Sequence, residues 1–513
     1  MKKNWILPFL LSLGLFMTGC DKQPAPNTEP DSSSSTEPTQ EEKEQQKLWT
    51  YANTFARNTM NLYYLWNKEI ETGLKAWKDT EEPIAKVQKI RYKNAKGEDI
   101  DRWTMLTDDF ESFYGSVSGN NKTYGFDFQL YYYDSSHTSL CAVITFTYPG
   151  SPAAEAGLRR GDAIVQVNGR EIPATNYTSI LYDELMGGDK LIAGVLRTDG
   201  SSATLTMSSK EMYENPVILS KVFYCGDKKV GYLVFTSFTL DSCEDLIAVC
   251  KDFKAAGVSE LILDLRYNGG GFVITEQVLA SLLAPEADVL AGSVLSTEVY
   301  NAELTDYFRN RGTDTNTYFS TQYKFSANGK NYDFSTKGAN PGISKLYAII
   351  ESGSASASEA LLCALYPYMS ITLVGAQSHG KYCSGLMMEA EDFFDDYADQ
   401  LGASFAAEGK KYTKNWGLYV MYSRFADKNG ETRCMPDGLT PDYKVDDDPL
   451  DGCQLGDPKE TMLAKALDLC GYKGSAPTAP AARRTFATSR LPFDEEIQRP
   501  GFGRRIALPE QLK

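Results

Sequence analysis

The chain is 513 residues long, more than one compact core ordinarily accommodates, so two or three domains are expected. Its composition, 42% hydrophobic and 23% charged, is that of a globular protein, and its formal net charge of −16 argues against nucleic acid and against broad contact with anionic lipid. Two histidines, His137 and His379, and ten cysteines with no C-x-x-C pair leave a zinc ribbon or thioredoxin-like site without support, and no metal or cofactor is implied.

At the N-terminus, Lys2 and Lys3 precede an apolar run from Trp5 to Met17, followed by Thr18, Gly19 and Cys20. A short basic region, an apolar stretch of this length and small residues before a cut describe a secretory signal. The run is too short for a comfortable membrane span. Its Met-Thr-Gly-Cys ending resembles a bacterial lipobox, with Met17 where Leu is usual, which implies a signal over 1–20 and lipidation of Cys20. Residues 21–46 are rich in Pro, Ser, Thr, Glu and Gln, with almost nothing to bury, and read as a disordered tether. A cell-envelope location, lipid-anchored, is the expectation. With Cys20 lipidated, nine cysteines remain; Cys434 and Cys453 could pair in an oxidising compartment or stay as buried thiols.

Residues 47–116 carry aromatic and aliphatic residues at helical spacing, such as Phe55, Met60, Leu62 and Leu65, and predict a small helical domain. Over 117–212, Tyr124-Gly125-Phe126-Asp127-Phe128 opens a strand. Ser151-Pro152 starts a short helix that Gly157 ends, and Asn168-Gly169 makes a hairpin turn. This order of turn, strand and hairpin resembles a PDZ domain of bacterial proteases. PDZ domains bind extended peptides by adding a strand to a sheet edge, which implies Tyr124, Gly125, Phe126 and Phe128 as peptide-binding residues. Asp127 departs from the all-apolar version of that loop and is expected to point outward.

From 213 to 473, strand and helix alternate and predict an α/β core with a mixed sheet. Val230–Phe235 and Leu261–Arg266 read as strands, Cys243–Phe253 and Thr275–Leu283 as helices, and 287–343 as an irregular insertion near the substrate path. Leu346–Ile350 leads into Glu351-Ser352-Gly353-Ser354-Ala355-Ser356-Ala357-Ser358-Glu359 and an apolar helical run. A serine at a strand-to-helix turn among small residues is where a nucleophile would lie, because the helix N-terminus offers amides to a developing oxyanion. The same repeat could equally be a cap or linker. Beyond the next strand, Ser370 to Val374, comes Gly375-Ala376-Gln377-Ser378-His379-Gly380-Lys381.

The Ser-Ala repeat, the strand and the Gly-Lys that follows it resemble the C-terminal processing (tail-specific) peptidases. There the middle serine is the nucleophile and a lysine 25 positions on is the base, as Ser356 and Lys381 stand here. Asp264-Leu265-Arg266-Tyr267-Asn268-Gly269-Gly270-Gly271, Val230-Gly231-Tyr232 and Gly438-Leu439-Thr440-Pro441-Asp442 follow in family order, so the resemblance spans about residues 117 to 470. It implies a serine endopeptidase acting on proteins and peptides. Ser356 would be the nucleophile, Lys381 the general base, and the amides of Ala357 and of Gly270 or Gly271 the oxyanion hole. A lysine acts this way only when neutral, so its reference pKa near ~10.4 would have to fall by roughly 3 units, which burial can bring about. His379, two residues from Lys381, is the competing base; His137 reads as a loop residue. Gly385 stands where many members carry a Gln that positions the lysine. A weakly active or inactive peptide-binding lipoprotein on the same fold is therefore the alternative. The tail, 474–513, has no periodicity and reads as flexible. Nothing in the sequence indicates the oligomeric state.

Overall fold

The computed structural model describes residues 38–474, 489–491 and 503–508. The signal, Cys20 and most of the tether lie outside the described residues. What is described divides into two units. One combines residues up to Phe110 with Met388–Val420; the other combines Glu111–Met387 with residues from Met421 onward.

The first unit is built on a helix, Gln40–Tyr63, that starts inside the segment expected to be a tether. Thr39 caps it: its Oγ1 accepts from Glu42 N–H at 3.2 Å, while its own N–H donates to Glu42 Oε2 at 2.7 Å. Local capping thus orders polar residues that composition alone assigns to disorder. The helix buries Tyr51 and Phe55 against Phe393 and Phe405, with ring centroids 5.4 Å (Phe55–Phe393) and 4.8 Å (Tyr51–Phe405) apart. Those partners lie in the helices Ala390–Asp396 and Ala403–Tyr412. A helical unit was expected from 47–116 alone; its aromatic face is completed by residues more than three hundred positions later.

In the second unit, a six-stranded antiparallel sheet runs from Phe126–Tyr132 to Ser202–Ser208. Ser151 Oγ accepts from Ala154 N–H to cap the helix Pro152–Glu155, and Asn168 and Gly169 both take positive φ, 50° and 80°, in the hairpin turn. His137, also at positive φ, lies in the exposed turn before Ser139, its ring 4.0 Å from that of Tyr132.

The same unit holds a second sheet. Its strands Lys228–Phe235, Glu260–Asp264, Lys345–Ile350 and Ser370–Gly375 run parallel, with Val217–Cys225 antiparallel at one edge. Every residue of Glu260–Asp264 is buried, as a central parallel strand covered on both faces requires. The helices Ser242–Ala256, Val273–Leu283 and Ala357–Leu365 cover one face and share a single apolar core with it.

A further sheet orders Gly270–Phe272, Arg504–Ala507, Cys383–Glu389, Gly417–Asp427, Val294–Tyr300 and Asn316–Tyr318. Two expectations are corrected here. Residues 287–343, read as irregular, form the helix Ala302–Arg311, the strand Val294–Tyr300 and the hairpin Gln322–Ala327 with Lys330–Ser335. The tail, read as flexible, contributes Arg504–Ala507 to the sheet, held by contacts that leave no local period. All nine described cysteines are free thiols, Cys434 and Cys453 among them, so the possible pairing of those two is not formed.

Candidate active site

The strand Lys345–Ile350 and the helix Ala357–Leu365 meet at a turn in which Ser356 has φ 64° and ψ −110°. A positive φ at a non-glycine residue is uncommon and costs of order 1–3 kcal/mol, so the surrounding structure must hold it. The two flanking serines do part of that holding. Ser354 Oγ donates to the Leu265 carbonyl at 2.8 Å, and Ser358 Oγ to the Asn268 carbonyl at 2.9 Å. Only the middle serine faces another side chain: Lys381 Nζ lies 3.3 Å from Ser356 Oγ, both residues fully buried.

Lys381 arrives on a loop that the sequence motif near Gly438 secures. Ser378 N–H donates to the Leu439 carbonyl at 3.1 Å, and Leu439 N–H donates to Ser378 Oγ at 2.6 Å. Gly438, at φ 92°, allows this approach, since a β-carbon there would sit 2.2 Å from the Ser378 carbonyl. His379 is half-buried and gives its backbone N–H to the Ser354 carbonyl.

Glu359, which the sequence reading did not single out, binds the two loops together. Its Oε2 accepts from the backbone N–H groups of Ser356 and Lys381, both at 2.9 Å. Its Oε1 accepts from Ser378 Oγ at 2.5 Å and Gly380 N–H at 2.7 Å. Burial raises its carboxyl above the usual range, and these hydrogen bonds pull it partly back. The signal was present in the sequence: serine followed three residues on by glutamate is capping-box spacing.

Beside Ser356 runs the glycine strand Gly270–Phe272. Gly270 N–H donates to Asn268 Oδ1 at 2.9 Å, and Asn268 Nδ2 donates to the Phe235 carbonyl at 2.9 Å, so Asn268 ties the glycine loop to the core sheet. Gly271 has φ 142°, and a β-carbon on it would lie 2.4 Å from the Phe238 carbonyl. Ala357 opens the helix, in the first turn, where backbone N–H groups have no intrahelical acceptor.

Beyond the glycines the Asp-Leu-Arg motif is buried in a charge cluster. Arg266 meets Asp264 at 2.7 Å, Glu460 at 2.6 Å and Asp447 at 3.0 Å; Arg160, from the antiparallel-sheet domain, meets Asp447 at 2.8 Å. The cluster therefore links the turn before Ala163 to the strand that leads into the glycines.

A cavity of about 420 Å³ extends from this loop to the edge strand Phe126–Tyr132. The expected peptide-binding residues Tyr124, Gly125, Phe126 and Phe128 line it, together with Tyr182 and Gly270. Gly125, at φ 77°, is pressed against Ser151, whose Oγ donates to the Gly125 carbonyl at 2.9 Å. Asp127, expected to point outward, lines the cavity too, and its Oδ1 accepts from Phe128 N–H. Among the described residues no cluster of His, Cys, Asp and Glu could hold a metal.

Residues 229–445 match the family model of Peptidase family S41, and 143–182 match a PDZ domain. The C-terminal processing peptidase, chloroplastic, of Tetradesmus obliquus is 26% identical over 271 residues, covering 49% of this chain and 50% of that protein. The carboxyl-terminal-processing protease of Synechocystis sp. is 26% identical over 329 residues, 62% of each. The chain thus spans between half and two thirds of the length of these relatives. A solved structure from Bacteroides fragilis assigned to the S41 proteases superposes with TM-score 0.58 at 22% identity, over 87% of this chain and 98% of that one, which is a likeness of fold. Residues 229–445 are thus similar to peptidase family S41, with a match to a PDZ domain ahead of them.

Proposed function

We propose that the chain is an exported serine endopeptidase, lipid-anchored at Cys20 in the cell envelope, that hydrolyses peptide bonds of protein substrates with a Ser356/Lys381 dyad. The observation that carries this is the 3.3 Å contact between Lys381 Nζ and Ser356 Oγ, with both side chains shut off from water. The amine serves as base only when uncharged, the form that exclusion of water favours. Neutral Lys381 takes the hydroxyl proton as Ser356 Oγ attacks the scissile carbonyl. The oxyanion is met by backbone N–H groups of Ala357 and of Gly271, since Gly270 N–H is given to Asn268 Oδ1, and the protonated lysine returns its proton to the leaving amine. Water then cleaves the ester, with Lys381 again the base. The names of the relatives, both processing proteases, support this class of reaction.

The PDZ domain would present the substrate, its edge strand and the glycine loop bordering one cavity. Substrates are proteins or peptides, not nucleic acid, and the membrane is contacted through the lipid. No helix among the described residues is long and apolar enough to cross a membrane.

The test is cleavage of casein by the purified chain beside Ser356→Ala, Lys381→Ala and His379→Ala. Turnover lost in the first two and retained in the third is the expected result. Undiminished turnover by Ser356→Ala would overturn the mechanism. Peptide binding without turnover in every form would make the non-cleaving reading the better one.

A further inference from the structure

The tail strand Arg504–Ala507 lies beside the nucleophile. It pairs in parallel with the glycine strand, Gly270 opposite Arg504 and Gly271 opposite Arg505. On its other side it pairs with Cys383–Glu389, where Gly385, at the position of the missing Gln, stands opposite Ile506. A β-carbon placed on Gly270 would lie 2.3 Å from the Arg504 carbonyl oxygen and 3.0 Å from Ser356 Cβ. The chain's own backbone is therefore threaded past the serine.

The next side chain enters a built socket. Arg505 is buried, and its guanidinium meets Glu276 through Nε at 2.6 Å and Nη2 at 3.2 Å, a two-pronged contact. Its Nη1 meets Glu298 Oε1 at 2.6 Å and also contacts Ser384 Oγ. Ser423 and Ser384 donate to the other oxygen of Glu298, at 2.6 and 3.2 Å, and so fix the carboxylate. Two carboxylates and a planar fork of donors form a site for guanidinium rather than for an ammonium point charge. Two acids brought together out of water are costly without a cation between them.

A second stretch of the tail lies on the PDZ edge. Leu491 N–H donates to the Leu130 carbonyl at 2.9 Å, Tyr132 N–H donates to the Ser489 carbonyl at 3.0 Å, and Arg490 bridges Tyr131 in antiparallel sense. This is the geometry of an added peptide strand.

We propose that Glu276 and Glu298 form a specificity socket for an arginine of the bound peptide, one residue beyond the carbonyl that lies against Gly270, and that the chain fills it in cis with Arg505. The assignment rests on the peptidase reading for its meaning, though the socket binds peptide whether or not the bond is cut. A substrate strand carrying arginine at that place displaces Arg504–Ala507 and replaces its ion pairs; a strand carrying leucine leaves two buried carboxylates unpaired.

The test uses the full chain as Ser356→Ala, so that no turnover is needed. Two synthetic peptides are compared, one centred on Arg-Arg-Ile-Ala and one with leucine in place of the second arginine. Fluorescence anisotropy should give at least tenfold tighter binding of the arginine peptide, and Glu298→Gln in the same background should bring the ratio close to one. Hydrogen exchange on the chain with Glu276 and Glu298 intact should report amides 504–507 exchanging at least tenfold faster with the arginine peptide and unchanged with the leucine peptide. This arm decides the matter if Glu298→Gln does not fold. Equal binding of the two peptides, or tail amides that neither peptide moves, would overturn the proposal and leave the strand as a fixed part of the sheet. Loss of casein cleavage in the active-site variants bears on the peptidase reading and leaves these readouts untouched.

Discussion

Glu359 accepts four hydrogen bonds, two at each oxygen, and every donor belongs to the turn of Ser356 or the loop of Lys381. Glu359→Gln keeps the shape but turns one oxygen into an NH₂ group. Placed toward Ser356 and Lys381 that group meets two N–H donors and two hydrogen bonds are lost; placed toward Gly380 and Ser378 it meets one N–H donor and one hydroxyl, so at least the Gly380 hydrogen bond is lost. A buried group left in this state costs about 1–3 kcal/mol. We expect the variant to fold with a lower thermal midpoint and kcat to fall by about 10- to 100-fold at nearly constant KM, because the serine and the amine are misplaced rather than removed. Steady-state kinetics on a quenched peptide, together with a thermal melt, check both. Ser356 and Lys381 were legible through the resemblance to the C-terminal processing peptidases, whose 25-residue spacing they share. Glu359 was legible only as a helix cap, and its reach to the lysine loop appears once strand Ser370–Gly375 has brought that loop alongside.

At the level of elements, alternation of apolar runs with glycine and small polar residues predicted strand, turn and helix through most of the core, since each such element is set by its own residues. The glycine strand and the helix Ala357–Leu365 meet because the parallel strands Glu260–Asp264 and Lys345–Ile350 are neighbours and both turns leave from the same end. Arg266, just past the first of these strands, is enclosed with Asp264, Asp447 and Glu460. Removing it as Arg266→Ala leaves buried carboxylates facing one another with Arg160 as their remaining close cation. A loss of about 3–5 kcal/mol is expected, as for other buried pairs broken from one side. Urea unfolding measures it directly. Sequence motif alone named Arg266 without its partners, because Asp447 and Glu460 lie far along the chain and have no spacing relation to it.

Across the molecule, the same cluster makes stability depend on acidity. Burial works against ionisation of Asp447, yet the guanidiniums of Arg160 and Arg266 outweigh it and hold the carboxyl far below the usual range. Glu460 is likewise lowered, burial being outweighed mainly by Arg266. A depressed carboxyl stabilises the fold above its unfolded pKa, near ~4, and that contribution is lost as pH falls toward the folded value. Glu276 and Glu359 are raised by burial and act in the opposite sense, so they offset part of the effect. The thermal midpoint should therefore drop between about pH 5 and pH 3, and the drop should be shallower in Arg266→Ala; calorimetry across that range tests it.

Periodicity, caps and turn residues are short-range, and from them the sequence alone determined most of the strand–helix order and the hairpin turns, while Ser356 and Lys381 were singled out only through the resemblance to the C-terminal processing peptidases. Tertiary structure alone decided which distant segments complete them. The partners of the first helix, the carboxylates around Arg266 and the tail strand beside Ser356 are chosen by burial of aromatic faces and by pairing of charges out of water. Those energies depend on what meets in space and leave no period along the chain.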